Sequence, residues 1–312
     1  MLDNWRCVSV GVADLDEALA FWEETLGLKA VASNHGADRD LATLWSLEPQ
    51  QITRQARVAA PGQTLGQLHL VEFATPGAAV REGAEVFDWC PKNLDVYASD
   101  LPARVVELKA AGRQFRSETY SEVNAPDGTC FREIHLPSHD AINVVLLEVL
   151  GESYPFSDQG FAGVGPLITI VGDAPAERAF VADALGMRLK TENLLKGPEV
   201  EKMVGLPSGA TLDVSIWGAD DEEFGQLEII EYGGVRGADR YPLAVPPARG
   251  VLHVNYAVAD LKPLIERLST QGTAYDEAGP VQTLAGTGRV VTVHTPAGLR
   301  IDVFEDESEV SG

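Results

Sequence analysis

Basic residues are scarce in this 312-residue chain. Lys and Arg number 24 against 47 Asp and Glu, a formal net charge of −23. A surface so acidic repels phosphate backbones and anionic headgroups, which argues against general nucleic-acid binding and membrane-surface binding. Long apolar runs are missing too: no stretch approaches the roughly 20 residues of a membrane span. The start, Met1-Leu2-Asp3-Asn4-Trp5-Arg6, lacks the basic and then apolar pattern of a secretory signal. Cysteine is limited to Cys7, Cys90 and Cys130, with no Cys-x-x-Cys spacing. Neither a disulfide framework nor a structural zinc knuckle is therefore expected. The phosphate-binding glycine loop, the Gly-x-Ser-x-Gly elbow and the His-Glu-x-x-His helix are all absent. These absences leave a soluble, cytoplasmic protein as the expectation, with a small molecule as its partner and a homo-oligomer left open. Hydrophobic residues at 45% supply a sizeable core, and the length suits two domains.

What is present is an internal repeat. Asp14, Phe21 and Leu26-Gly27 recur 159 residues on as Asp173, Phe180 and Leu185-Gly186. Gly66-Gln67-Leu68-His69-Leu70-Val71-Glu72 recurs at the same offset as Gly225-Gln226-Leu227-Glu228-Ile229-Ile230-Glu231, and His135-Leu136-Pro137 as His294-Thr295-Pro296. A constant offset of this length means two homologous halves rather than a solenoid. Their boundary is expected in Gly151 to Gly165, where Pro155, Ser157, Asp158 and four glycines read as a linker. Each half repeats again. Val10 to Leu15 resembles Val96 to Leu101 and Tyr256 to Leu261, and more loosely Ile168 to Asp173.

Each quarter reads as strand, helix and about three strands. Val8, Val10 and Val12 alternate with Cys7, Ser9 and Gly11, which is strand periodicity. Asp14 is placed as a helix N-cap with Glu17 at capping-box spacing. Leu15, Ala18, Leu19, Trp22 and Leu26 then fall on one helical face before Gly27. Strands that end the modules are expected over Gln67 to Phe73, Ile142 to Val149, Gln226 to Tyr232 and Leu299 to Phe304.

A βαβββ module that opens with an apolar strand, Asp-Leu and Phe-x-x-x-x-Leu-Gly resembles the vicinal oxygen chelate superfamily. That superfamily includes glyoxalase I, methylmalonyl-CoA epimerase, extradiol dioxygenases, and bleomycin- and fosfomycin-resistance proteins. The likeness is carried by Val8 to Leu28, Gly66 to Phe73, His253 to Leu261 and Pro296 to Phe304. It implies an α+β fold of four βαβββ modules forming two paired cup-shaped mixed sheets, each cup built from consecutive modules. The expected divisions are an N-terminal domain over 1–152, a linker over 153–162, a C-terminal domain over 163–307 and an acidic tail over 308–312.

The resemblance also implies metal ligands on the first and last strands of each module. The first-strand positions are Cys7, Asn93, Pro166 and His253, and the last-strand positions are His69, Asn143, Glu228 and Asp302. In the strand patterns, Glu228, His253 and Asp302 each lie opposite the apolar face. These three are expected to converge in a C-terminal cup on a divalent cation (Fe, Zn, Mn, Ni or Co), with Glu228 or Asp302 moving a proton. The implied activity is a glyoxalase-like lyase, isomerase or epimerase acting on vicinal oxygens. An Fe(II) ring-cleaving dioxygenase is the second reading, opposed by Pro166, which cannot ligate. A non-enzymatic binding protein is the third. The N-terminal cup, with His69 and Cys7, is expected to be structural. Glu72 and Glu231 are read as strand-end charges, His135 and His294 as turn or ligand-orienting groups, and His35 and His139 as loop or turn residues.

Overall fold

The computed structural model describes residues 2–306, so the expected tail over 308–312 lies outside the described residues. The first module comprises β1 (Cys7–Val12), α1 (Leu15–Ala20), β2 (Lys29–His35), α2 (Arg39–Leu44), β3 (Ile52–Ala59) and β4 (Gln67–Phe73). The second comprises β5 (Cys90–Ala98), α3 (Leu101–Ala110), β6 (Ser121–Asn124), β7 (Cys130–Pro137) and β8 (Asn143–Val149). The third comprises β9 (Phe161–Ile170), α4 (Ala174–Asp183), β10 (Leu189–Lys196), α5 (Pro198–Val204), β11 (Thr211–Trp217) and β12 (Gln226–Gly233). The fourth comprises β13 (Gly250–Val258), α6 (Lys262–Gln271), β14 (Tyr275–Gln282), β15 (Thr287–His294) and β16 (Arg300–Glu305). The four-module α+β reading therefore holds. The expected linker is shorter than 153–162, because β9 already begins at Phe161 and buries Phe161 and Ala162.

Helix starts follow one rule in all four modules. Asp14 accepts from the Asp16 and Glu17 backbone, and Asp173 from that of Ala176. A glutamate near the end of each module's last strand then accepts from an N–H at the helix start. Glu72 takes Leu15 N, Glu148 takes Leu101 N, Glu231 takes Ala174 N and Glu305 takes Leu261 N. Each carboxylate satisfies a donor the helix itself leaves unpaired, at its positive end. Glu72 and Glu231 are thus helix-binding groups rather than simple surface charges, and Glu305 plays the same part in the fourth module. Arg54 grips Glu72 and, with the Leu15 and Thr53 bonds, holds its carboxyl down at about 2 against the cost of burial.

The modules pair in a nested order, not consecutively. One eight-stranded sheet runs β14-β15-β16-β13-β1-β4-β3-β2 and joins modules four and one; the other runs β10-β11-β12-β9-β5-β8-β7-β6 and joins modules three and two. The seams are antiparallel, β1 on β13 and β5 on β9. The reason lies in the opening strands. All four bury both faces, so each needs a partner along its free edge, and the patterns along them are too alike to name which one. The segments 74–89 and 234–249 carry the chain from one sheet to the other and back. They run side by side, with bridges Ala79 to Arg249 and Trp89 to Asp239 and an ion pair from Arg240 to Asp88 at 2.7 Å.

The inward apolar faces of both sheets and the module helices share one continuous core, including Val10, Trp22, Leu94, Leu167, Leu227 and Ile301. Gly66 and its repeat Gly225 sit where the halves touch. Both have positive φ, and a Cβ would come within 2.2 Å of Val164 O and 2.3 Å of Trp5 O respectively. The opposite faces of the sheets curve into two cups.

Candidate functional site

The three expected ligands do not converge. His253 and Asp302 lie on β13 and β16 of the sheet formed by modules one and four, whereas Glu228 lies on β12 of the other sheet. Nested pairing places the expected His69 and Cys7 with His253 and Asp302 instead. His69 sits beside Ser9, which faces His253 across the seam. Within the second module the register corrects Asn143 as well. Asn93 faces Asn143 as His253 faces Arg300, so the position matching Asp302 is occupied by Val145.

The cup of modules one and four is filled. After β2, helix α2 reaches across to the opposite edge, where Asp40 accepts from Gln282 N on β14. It delivers Trp45 to the interior, with ring centroids 5.0 Å from His253, 6.0 Å from His69 and 6.2 Å from Phe73. His69, His253 and Asp302 are all fully buried. His69 has Ser9 Oγ at 3.3 Å and Gln55 Oε1 at 2.8 Å, one partner per ring nitrogen. Burial, helped by His253 and Arg57, pushes its pKa down to about 3. Asp302 accepts from Thr292 at 2.6 Å and from Arg300 at 3.0 Å. His253 has Asp302 at 3.5 Å but no hydrogen-bond partner on either nitrogen, and burial and Arg300 drive its pKa well below the ordinary histidine range. Burial raises the Cys7 thiol to about 12. A neutral thiol, a histidine with both nitrogens engaged and an aspartate claimed by a guanidinium do not form a cation site.

The cup of modules two and three is open. It encloses a cavity of about 330 Å³. Its walls are apolar: Phe131 and Leu147 come from module two, and Ile168, Val214 and Ile216 from module three. The matching helix α5 crosses this cup from β10 to β6, where Ser121 Oγ donates to Glu199 O. It delivers Met203 and Val204 where α2 delivers Leu44 and Trp45. Polar groups gather on one part of the wall: Asn93 and Asp95 on β5, Glu133 and His135 on β7, and Glu228 on β12. Asn143 donates to Asn93 Oδ1 at 3.1 Å and lies 2.9 Å from His135 Nδ1; His135 Nε2 lies 2.8 Å from Glu133. With Asn143 donating to Nδ1, the imidazole proton sits on Nε2 and is given to Glu133.

Two carboxyls here are strongly perturbed. Burial, with Glu133 nearby, raises Glu228 to about 8. Burial, with Glu228 and Glu133, raises Asp95 well above the usual carboxylate range. Behind them a two-against-one step between β5 and β9 leaves Lys92 unpaired in the ladder. Its Nζ bonds the Tyr232 hydroxyl at 2.8 Å, and burial, with Arg81 and Arg116, lowers its pKa to about 7.

The repeat positions Asn93 and Glu228 were thus legible as cup-facing, while Asp95, Glu133 and Lys92 were missed. Asp95 had a readable signal: a carboxylate alternating between Leu94 and Val96 in an apolar strand. Among the described residues, no three His, Cys, Asp or Glu side chains stand together in a way that could hold a metal ion. The metal set implied by the fold family therefore does not fit the residues in either cup. Pro166, which lines the open cup, offers no donor there.

No family model matches this sequence, and no curated protein matches it. Solved structures do match. Glyoxalase I from Zea mays is similar over 99% of this chain and 94% of its own, with a TM-score of 0.67 at 15% identity. A structure described as a putative dioxygenase from Bacillus subtilis subsp. subtilis str. 168 is similar over 97% of this chain and 84% of its own, with a TM-score of 0.62 at 12% identity. The chain thus has the fold of the vicinal oxygen chelate superfamily in its two-sheet, four-module form.

Proposed function

We propose that this protein acts on a small, mostly apolar carbonyl compound in the cup of modules two and three, moving a proton to and from carbon with Glu228. The observation that carries this reading is Glu228 itself, a buried carboxyl raised to about 8 on the wall of an open cavity. A general base works best when its pKa lies near the operating pH. In water a carboxylate is too weak a base for a carbon acid; here desolvation by the apolar wall strengthens it. Asn93 supplies the complementary donor. Its oxygen is occupied by Asn143, which leaves its amide N–H groups for a substrate oxygen that gains charge as the proton leaves. Glu228 takes the proton from the carbon next to the carbonyl, the enolate forms against Asn93, and the proton returns to a neighbouring atom. This is an isomerase or lyase step of the glyoxalase kind, derived without a metal because the described residues do not assemble a site for one.

The test is exchange of carbon-bound hydrogen in D2O, followed by NMR on a panel of small α-hydroxy and α-keto carbonyl compounds. Wild type should exchange hydrogen α to the carbonyl, and Glu228→Gln should lose that activity by about 10²-fold or more. A second reading, a protein that binds its ligand without changing it, is favoured by the apolar walls. Tight binding with no exchange on any compound would select it.

A further inference from the structure

We propose that the carbonyl compound held in the open cup also carries an organic ammonium on an apolar, preferably aromatic, body, its cationic nitrogen seated on Asp95. This names the ligand class for the cup assigned above and rests on that assignment.

Asp95 is 4% exposed, faces the cavity, and its Oδ1 has no hydrogen-bond partner. A buried carboxylate oxygen without a partner costs stability and persists where something else supplies the donor. The two lysines nearest the cup are engaged elsewhere. Lys92 bonds Tyr232, and Lys190, the one lysine among the described residues lining the cavity, is held by Glu223 at 3.1 Å and by Glu222 O at 2.8 Å. Against that lysine the lining carries, among the described residues, six acidic side chains: Asp95, Asp127, Glu133, Glu152, Glu223 and Glu228. An anionic ligand would meet repulsion from the rim inward. A cation is drawn in by the acidic rim, and on reaching Asp95 it releases to solvent the proton that burial, Glu228 and Glu133 favour there, forming a charge-assisted bond of about 2.7–2.9 Å in a poorly hydrated setting.

The rest of the ligand is specified by the next cup-facing residue on the strand. Tyr97 follows Asp95 by two positions and stacks on Tyr154 at 4.1 Å with 12° between the rings, and Phe224 meets both edge-on. Tyr97 and Tyr154 line the same cavity. An ammonium on Asp95 therefore places its body against an aromatic wall, where apolar burial and ring contacts both contribute. With Asp95 engaged by the cation, Glu228 is left as the carboxyl that exchanges protons.

The experiment compares 2-phenylethylamine with its neutral isostere 2-phenylethanol by isothermal titration at pH 8, on the whole chain. Wild type should bind the amine at least about tenfold more tightly than the alcohol. In Asp95→Asn that preference should vanish while alcohol binding is kept. Asn adds no volume, and melting curves confirm that the variant is folded. Tyr154→Ala should weaken both ligands together. Equal affinity of wild type for amine and alcohol overturns the ammonium site and leaves the cup assignment standing. Retention of the preference in Asp95→Asn also overturns it. If neither compound binds, this proposal falls, and the hydrogen-exchange test on carbonyl compounds decides the cup assignment by itself.

Discussion

The two cups are built on one plan and differ in what one helix end puts inside them. At a repeat offset of 159, Leu44-Trp45 corresponds to Met203-Val204. Trp45 packs against His69 and His253 and closes its cup, whereas Val204 lines a cavity of about 330 Å³. The polar groups diverge in step. The filled cup keeps His69 and His253 as buried histidines whose pKa values lie far below normal; the open one keeps carboxyls whose pKa values lie far above normal. Ligand residues at family positions therefore do not locate the open cup. The side chain that occupies the interior decides it.

The comparison can be broken most forcefully at Trp45. Trp45→Ala removes the filling of the closed cup and should destabilise the protein by about 3–5 kcal/mol, read from urea unfolding, as for other buried aromatic truncations. A loss below about 1 kcal/mol would mean that Trp45 does not fill it. The reciprocal change, Val204→Trp, should close the open cup and weaken 2-phenylethanol binding by about 100-fold. Its cost in stability should not exceed the roughly 1–3 kcal/mol of overpacking. Retained binding would place the ligand elsewhere.

The pH response separates the cups by sign. Glu228 has a folded-state pKa of about 8 against an ordinary 4.5. Its protonated form is favoured by folding, so stability is highest below pH 4.5 and falls as pH rises through 4.5 towards 8. His69 has a folded-state pKa of about 3 against 6.5, so its neutral form is favoured and its contribution rises through the same interval up to about 6.5. The total slope mixes the two. The difference between wild type and Glu228→Gln isolates the carboxyl: the wild type should lose on the order of 2–4 kcal/mol more between pH 4.5 and 8 than the variant. Parallel stability profiles would show that Glu228 titrates normally.

The smallest effect concerns the residue after each helix end. Gly205 takes φ +83 behind α5, and its repeat partner Ser46 is held at φ +56 behind Trp45. Only glycine adopts that region without cost, so Ser46→Gly should stabilise by about 1 kcal/mol, seen as a higher melting temperature. An unchanged or lower melting temperature would show that the Ser46 side chain offsets the strain.

Much of the architecture was readable because it is local. Alternation fixed β1, Asp14 fixed the start of α1, and the constant offset matched His69 to Glu228, which the structure places at equivalent points on β4 and β12. Sheet partnership was not readable. β1 could pair along its free edge with any of three similar opening strands, and the difference between them is a long-range packing choice. That one choice separated Glu228 from His253 and Asp302. The bulge at Lys92 was hidden for the same reason, because a bulge is a relation between two strands. Helices α2 and α5 fell in stretches read as strands and turns, so the Trp45–Val204 contrast went unread although the offset already aligned it.

The nested order of the modules also sets a timetable for synthesis. Module one leaves the ribosome first, yet its sheet partner is made last, so the edge of β1 that will meet β13 stays bare while the two middle modules are made. Modules two and three, joined by the short stretch 150–160, can close their own sheet as soon as β12 emerges. An unpaired apolar edge exposed for that interval is a hazard for wrong pairing between nascent chains. Translation that stalls before residue 250 would leave the inner sheet able to form and the first module without its partner strand.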